Sequence, residues 1–141
     1  MDTLGDKYKI AGLVDGERIP IEKYYQKMYE SKIIMAPIGY GEMAPRDIEA
    51  TMFGSVLMKP DMSYISSEPF VYEDDETYIA VNYDWSNLEE KIDYVLSDYD
   101  NIRERIVTNM RNQFTEKYKL ENLVLHVYDV FKNIDEVYDA S

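Results

Sequence analysis

The sequence lacks the residues on which several common kinds of site depend. None of its 141 residues is cysteine, which excludes disulfide bonds, zinc sites built from thiolates and cysteine nucleophiles. His126 is the single histidine, so a metal site with several imidazole ligands is excluded as well. No apolar run approaches the roughly 18 residues that a membrane-spanning helix needs.

Positive charge is also scarce. The chain has 15 Lys and Arg against 28 Asp and Glu, a net charge of −13. Nucleic acid and anionic membranes carry the same sign, so general binding to either is excluded, whereas a local basic pocket is not. The first six residues are polar and acidic and lack the pattern of a signal peptide, so we expect a cytoplasmic protein. The length fits a single domain, residues 1–141.

Strands and helices alternate along the first two thirds of the chain. Continuous apolar runs are typical of strands buried on both faces, as in a parallel sheet. Pro20 and Pro45 mark the expected starts of two helices, and Gly54 marks the end of the second. The alternation predicts an α/β fold, a parallel Rossmann-like sheet with flanking helices. The predicted strands are 8–14, with a turn at Asp15-Gly16, then 32–37, 55–58 and 77–81.

The last third of the chain is predicted to be helical. Ser86, with Glu89 three residues later, has the pattern of a capping box at the start of the first helix. Three apolar stripes with helical spacing indicate three helices. The stripes are Leu88, Ile92, Val95 and Leu96; Ile102, Ile106 and Met110; and Leu120, Leu123, Val124, Val127, Phe131 and Ile134.

The segment 32–62 has the order strand, glycine loop, helix, glycine, strand. A loop that follows a parallel strand lies at the carboxyl edge of the sheet, where ligands bind. The N–H groups of the helix that begins near Pro45 favour a phosphate or diphosphate. Gly39 and Gly41 allow close approach and also matter for backbone geometry. Arg46 either adds a charge-assisted contact to that anion or pairs with Asp47 or another acid.

Two carboxylates flank the start of this helix. Glu42 and Glu49 are seven residues apart, about two helical turns, so their side chains should point in nearly the same direction. A carboxylate one turn into such a helix can accept hydrogen bonds from the hydroxyls of a ribose. The alternatives are a solvated helix carboxylate for Glu49 and a loop carboxylate near a helix N-terminus for Glu42. Lys59, at the end of a buried strand, either faces the cleft or is a surface lysine.

This segment resembles the C-terminal, donor-binding half of GT-B glycosyltransferases. Glu49-Ala50-Thr51-Met52-Phe53-Gly54-Ser55-Val56-Leu57 matches the second half of that family's motif. Gly39-Tyr40-Gly41-Glu42, Pro45-Arg46-Asp47-Ile48-Glu49 and Lys59-Pro60-Asp61-Met62 resemble the subgroup related to capsule-associated glycosyltransferases. The resemblance to this family covers almost the whole chain. It includes the segment before the last helix, Phe114-Thr115-Glu116-Lys117-Tyr118.

The resemblance implies hexosyl transfer from a nucleotide-diphosphate sugar to a glycan or another acceptor, within polysaccharide biosynthesis. It implies no cofactor and no bound metal, because the nucleotide sugar is a substrate. It assigns Glu42 to the catalytic position. The residues it assigns to nucleotide-sugar binding are Gly39, Tyr40, Gly41, Met43, Ala44, Arg46 and Glu49.

The sequence departs from the family pattern in two ways. The family's two glutamates lie one residue further apart than Glu42 and Glu49. The early strands of the donor domain and the acceptor-binding domain have no counterpart in the chain. We therefore expect an incomplete GT-B C-terminal half with a helical C-terminal tail, and a partner chain, the missing N-terminal domain or a second copy that covers the open sheet.

Two further hypotheses belong to other classes. The chain is a non-catalytic module or partner subunit with the same fold, or it is an acidic mimic of DNA phosphate. For other residues the sequence predicts structural roles: a helix position for His126, packing for Trp85, a solvated loop at 73–76, and core positions for five methionines. Those methionines are Met28, Met35, Met52, Met58 and Met110.

Overall fold

A small parallel sheet with helices on both faces forms the fold. The computed structural model describes residues 4–12, 18–39, 41–65 and 71–139, and the side chains of 126, 130, 131 and 133–139 lie outside this description. The predicted α/β class, with a parallel sheet and flanking helices, is confirmed for the described residues. In chain order the elements are α1 (Leu4–Lys7), α2 (Ile21–Glu30), β1 (Ile33–Met35), α3 (Pro45–Phe53), β2 (Val56–Pro60), β3 (Ile79–Val81), α4 (Leu88–Ser97), α5 (Tyr99–Lys117) and α6 (Leu120–Asp139).

The three strands lie in the order β1-β2-β3, and both neighbouring pairs are parallel. Met58 is opposite Met35 of β1 and Ile79 of β3, so β2 is the central strand. All five residues of β2 are buried. The predicted strand at 32–37 is confirmed but is shorter, and Met35 is exposed. Among the described residues, β1 pairs with β2 alone.

Side chains of β2 alternate between two apolar clusters. Leu57 points to a cluster with residues of α2, α3 and α5, including Met28, Ala50 and Met110. Val56 and Met58 point to the other cluster, which α4 and α5 complete. This alternation follows from the period of two in a strand, and it places the next residue on the Leu57 side, Lys59, towards α3.

The predicted bounds of α3 are confirmed. Pro45 is its first residue, and Gly54 follows its last turn with a left-handed φ of 72°. The guanidinium of Arg103, on α5, donates a hydrogen bond from Nε to the Gly54 carbonyl at 2.6 Å. A Cβ on Gly54 would lie 2.6 Å from Nη2 of the same side chain. Gly54 therefore ends α3 for a conformational and a steric reason.

The predicted strand at 8–14 is wrong for the part that the structure describes. Residues 9–12 have no regular structure, and residues 13–17, with the predicted turn at Asp15-Gly16, lie outside the described residues. The preceding helix α1 is held against α4 by polar contacts: Lys7 lies 2.9 Å from Glu89 and 2.6 Å from Asp93. The Tyr8 hydroxyl also donates to Asp93 at 2.6 Å. These contacts hold the segment at α4 instead of in the sheet.

The capping box predicted at Ser86 is wrong as well. The N-cap of α4 is Asn87, and its side chain accepts the backbone N–H of Asn82 at 2.8 Å. The Ser86 hydroxyl accepts from the Asn82 side chain at 2.8 Å, so it closes the loop after β3 instead of capping a helix. Trp85 packs against the cluster that contains Met58, as predicted.

Most of the described apolar side chains of the last helix are exposed. Leu120 is 77% exposed and Val124 58%, and Leu125, Val127 and Tyr128 are also exposed. In the described residues, α6 contributes no side chain to either apolar cluster. No helix in the described part of the chain is long and apolar enough to cross a membrane. Of the five methionines assigned to the core, Met35 and Met52 are exposed, so that prediction is wrong for them.

Candidate functional site

The carboxyl ends of the strands bring three loops to one edge of the sheet. Residues 36–44 follow β1, residues 61–65 follow β2, and residues 82–87 follow β3. Because the strands are parallel, these loops lie on the edge where open α/β sheets bind ligands. The loop with Gly39 and Gly41 is therefore placed as the order of elements predicted. Tyr40, assigned to the same site, lies outside the described residues.

Asp47 already occupies the N-terminus of α3. Its Oδ2 accepts the N–H of Ala44 at 3.1 Å, and its own N–H donates to the Ala44 carbonyl at 2.9 Å. Pro45 has no N–H to offer. An incoming anion therefore meets fewer donors than a free helix end presents, together with a carboxylate. The helix end alone is a poorer anion site than its sequence predicted.

The partner of Asp47 is Lys59. Their side chains are 0% and 1% exposed, and Nζ lies 2.7 Å from Oδ2. The ammonium also donates to the carbonyl of Glu42 at 2.5 Å and lies 4.5 Å from the ring centroid of Tyr72. The alternative that made Lys59 a surface residue is wrong, because the strand period turns it inward to α3.

Tyr72 completes this buried cluster. Its hydroxyl donates to Asp47 Oδ2 at 2.5 Å and lies 3.5 Å from the Lys59 ammonium. Burial raises the pKa of Tyr72, and the bond to the Asp47 carboxylate raises it further, so the hydroxyl stays protonated and remains a donor. The second oxygen of Asp47, Oδ1, is buried without a hydrogen-bond partner among the described residues. Three segments that are distant in sequence therefore meet at one carboxylate.

Glu49 lies on a different side of α3, facing α2. It accepts a hydrogen bond from the Tyr24 hydroxyl at 2.6 Å and is half-buried. Burial raises the pKa of Tyr24, and the bond to Glu49 adds to the rise. Arg46 donates from Nη1 to the carbonyl of Met35 at 3.4 Å, so its charge lies at the end of β1 and does not pair with Asp47.

Glu42 and Glu49 are not related by helical geometry, and that prediction is wrong. Glu42 lies three residues before the first residue of α3, in the loop. Its side chain is exposed, while its carbonyl is turned inward to Lys59. The neighbouring Met43 is also exposed, and its sulfur lies 3.7 Å from the Tyr118 hydroxyl. Glu42 therefore belongs to the loop after β1, and Glu49 belongs to α3.

The backbone does not require glycine at positions 39 and 41. Neither residue has a left-handed φ. A Cβ on Gly39 would meet no described atom within 4 Å, and one on Gly41 would lie 4.0 Å from the Met43 carbonyl. The prediction that both matter for backbone geometry is wrong. The space beside both positions is therefore open among the described residues.

A polar groove of about 280 Å³ lies away from the carboxyl edge, where residues 73–77 face α5. Amides bridge its carboxylates: Asn109 donates to Glu76 at 2.8 Å, and Gln113 donates to Glu73 at 3.2 Å. Within the described residues no group of acids and histidines could hold a metal ion. The run 73–76 is largely exposed, as predicted, although Asp75 is half-buried and pairs with Arg105 at 2.7 Å.

Comparison with known proteins gave no match: no family model, no curated protein and no solved structure is similar to the chain.

Sequence reasoning missed Asp47, Lys59 and Tyr72 as one cluster. Two signals pointed to it. Lys59 interrupts a strand whose other residues are apolar or proline, and Asp47 is the third residue of a helix, where a carboxylate can cap its own N-terminus. Tyr72 carried no comparable signal, because nothing local in the sequence relates it to position 47.

Proposed function

We propose that this chain binds a nucleotide-diphosphate sugar at the carboxyl edge of its sheet and supplies the donor-binding part of a glycosyltransferase. The observation that carries the proposal is the unit β1, loop, α3, Gly54 and β2. It presents a loop with two glycines that the backbone does not need, next to a helix with one cation, Arg46, and two carboxylates, the buried Asp47 and the half-buried Glu49. Open α/β sheets bind nucleotides at this edge.

Five of the assigned residues have a role in this proposal: Gly39, Gly41, Glu42, Arg46 and Glu49. Gly39 and Gly41 leave room for the diphosphate, and Arg46 supplies the positive charge that the partly capped N-terminus of α3 lacks. Glu49 is held at Oε2 by Tyr24, so Oε1 accepts the ribose hydroxyls. Glu42 reaches the sugar from the loop.

The proposed reaction is a displacement at the anomeric carbon. A hydroxyl oxygen of the acceptor forms the new bond, the bond from the anomeric carbon to the diphosphate oxygen breaks, and the diphosphate leaves with the electron pair. The acceptor hydroxyl gives its proton to a base on the acceptor side. Arg46 and the first turn of α3 stabilise the charge that develops on the leaving diphosphate.

Calorimetry with UDP and GDP tests the proposal. Alanine substitutions of the two glycines separate an effect on nucleotide binding from an effect on stability. Gly39→Ala and Gly41→Ala should leave the free energy of unfolding unchanged, because a Cβ meets no close atom at either position. Both should weaken nucleotide binding, since the added methyl lies where the ligand approaches. Gly12→Ala is the matched control and should change neither property. Absence of binding by any nucleotide at millimolar concentration would overturn the proposal.

A second candidate function is a non-catalytic partner subunit. Two observations favour it: β1 is paired on one side only, and the described apolar side chains of α6 remain largely uncovered. Both features fit a chain that a second protein or a second copy covers. Assays of hexosyl transfer by the chain alone and with candidate partners separate the two functions. Robust turnover by the isolated chain would exclude the second.

A further inference from the structure

The buried ammonium of Lys59 links the glycine loop to the helix that follows it. It bonds the Glu42 carbonyl at 2.5 Å and the Asp47 carboxylate at 2.7 Å. The first acceptor belongs to the loop after β1, the second to the first turn of α3, and the lysine itself to the central strand. One cation therefore fixes the position of the loop relative to two rigid elements.

The hydrogen bond from Lys59 to the Glu42 carbonyl fixes the orientation of that peptide group. The carbonyl of Glu42 points into the protein while its side chain points to solvent. One residue, Met43, connects Glu42 to Ala44, whose N–H donates to the Asp47 carboxylate at 3.1 Å. The segment 42–44 is therefore anchored at both ends, by Lys59 and by Asp47.

A buried ion pair is an unfavourable way to fill this space. Desolvation of two charges can exceed their mutual attraction, and apolar residues of similar volume often stabilise a protein as well or better. Leu57 and Met62, on the same side of the sheet, show that apolar side chains pack here. The contact to the Glu42 carbonyl is one that an apolar side chain of similar volume could not make.

We propose that Lys59 is a positioning residue: it holds the segment 42–44 against the N-terminus of α3 in the conformation that binds the nucleotide. Asp47 is its counter-ion and the second anchor of the same segment. This inference rests on the proposed function for its effect on the ligand, but its effect on the loop is independent of any ligand.

The test replaces both charges together, because a single change would leave one buried charge unpaired. Asp47→Asn/Lys59→Met keeps the volumes and the acceptor for the Ala44 N–H, but it removes the bond to the Glu42 carbonyl. Tyr72→Phe is the matched control, since it alters the same buried cluster and leaves the Lys59 bonds to Glu42 and Asp47 in place.

Two readouts on the full chain decide the question. Hydrogen exchange of the amides of residues 42–44 should become at least about tenfold faster in the double variant, because local opening is then easier, and should stay unchanged in Tyr72→Phe. The dissociation constant for UDP or GDP should rise about tenfold or more in the double variant only, since a small displacement of a binding segment is costly. If the double variant does not fold, Asp47→Asn/Lys59→Leu is measured in its place, because leucine also lacks a donor for the Glu42 carbonyl.

The outcomes separate this inference from the proposed function. If the wild-type chain binds neither nucleotide, the proposed function fails, and the exchange rates alone decide whether Lys59 positions the loop. If exchange and nucleotide affinity in the double variant stay within about twofold of the wild type, the inference is wrong. A purely structural role is shown if Tyr72→Phe and the double variant change exchange at 42–44 alike.

Discussion

The interior around Lys59 and the surface of α6 invert the usual arrangement of charge and apolar side chains. At the first, an ammonium is 1% exposed within an apolar strand. At the second, Leu120 is 77% exposed on a helix with regular apolar spacing. The charge is buried because Asp47, Glu42 and Tyr72 satisfy it. The apolar residues are exposed because no described element covers them. At these two places, burial follows the available partner more than the hydropathy of the residue.

Removal of the Lys59 charge should give the largest change in stability. Lys59→Met leaves the Asp47 carboxylate buried without its counter-ion, and such changes typically cost about 3–5 kcal/mol. Urea unfolding of the wild type, both single variants and the double variant forms a double-mutant cycle. The double variant should regain most of the loss. A cost below about 1 kcal/mol for Lys59→Met would show that the pair is hydrated in solution.

Truncation of one leucine in each region compares the two directly. Leu57→Ala, at a site 1% exposed, should lower the free energy of unfolding by about 2–5 kcal/mol. Leu120→Ala should change it by no more than about 0.5 kcal/mol, because its side chain is 77% exposed.

Sedimentation should accompany these unfolding measurements, since a second copy that covers α6 would make the effect of Leu120→Ala depend on protein concentration. A large cost for Leu120→Ala at a concentration where the chain is a monomer would contradict the exposed position of α6.

Gly54→Ala should have an intermediate effect. Alanine in the left-handed region costs roughly 1–2 kcal/mol, and its Cβ would also displace the Arg103 guanidinium, 2.6 Å away. Gly12→Ala is the control, because a Cβ there meets nothing within 4 Å. Thermal unfolding of both variants checks this pair. Equal melting temperatures for the two would show that α3 does not end in the left-handed conformation.

Alkaline pH should weaken the cluster that contains Leu57. Burial raises the pKa of Tyr78 from its ordinary value of 10.0 to about 12. Between these values the unfolded chain loses the phenolic proton while the folded chain keeps it. Stability is therefore present below pH 10 and is lost as the pH rises towards 12.

Urea midpoints measured across this interval test the effect, with Tyr78→Phe as the variant in which the dependence should flatten. If the urea midpoint of that variant depends on pH as steeply as in the wild type, the loss of stability comes from other groups. Tyr72 is one of them, because burial raises its pKa as well.

The bounds of α3 were predicted correctly, since Pro45 and Gly54 act through their own backbone preferences. The capping box at Ser86 is also a local pattern, but it was wrong because Ser86 and Asn87 bond Asn82 in the preceding loop. The failure of the strand at 8–14 depends on partners distant in sequence. Residues 9–12 were predicted to be part of a strand, but the contacts of Lys7 and Tyr8 with α4 hold this segment outside the sheet.

Some features of the candidate site were predicted from the sequence, and others were not. The position of the glycine loop follows from the order of the elements and was predicted. The pairing of Lys59 with Asp47 depends on the crossing of β2 and α3, so the two residue types alone could not reveal it. The relation of Glu42 to Glu49 failed because the helix begins after Glu42.

The proposed roles of Gly41, Arg46 and Glu49 all depend on binding of a nucleotide diphosphate at the carboxyl edge of the sheet. Titration calorimetry with UDP and GDP, on the wild type, Gly41→Ala and Glu49→Gln, measures this binding. We expect saturable binding to the wild type. We also expect weaker binding to both variants, with unchanged stability for Gly41→Ala. Absence of binding to the folded wild type at millimolar nucleotide, or equal affinity in all three proteins, would contradict the proposed binding.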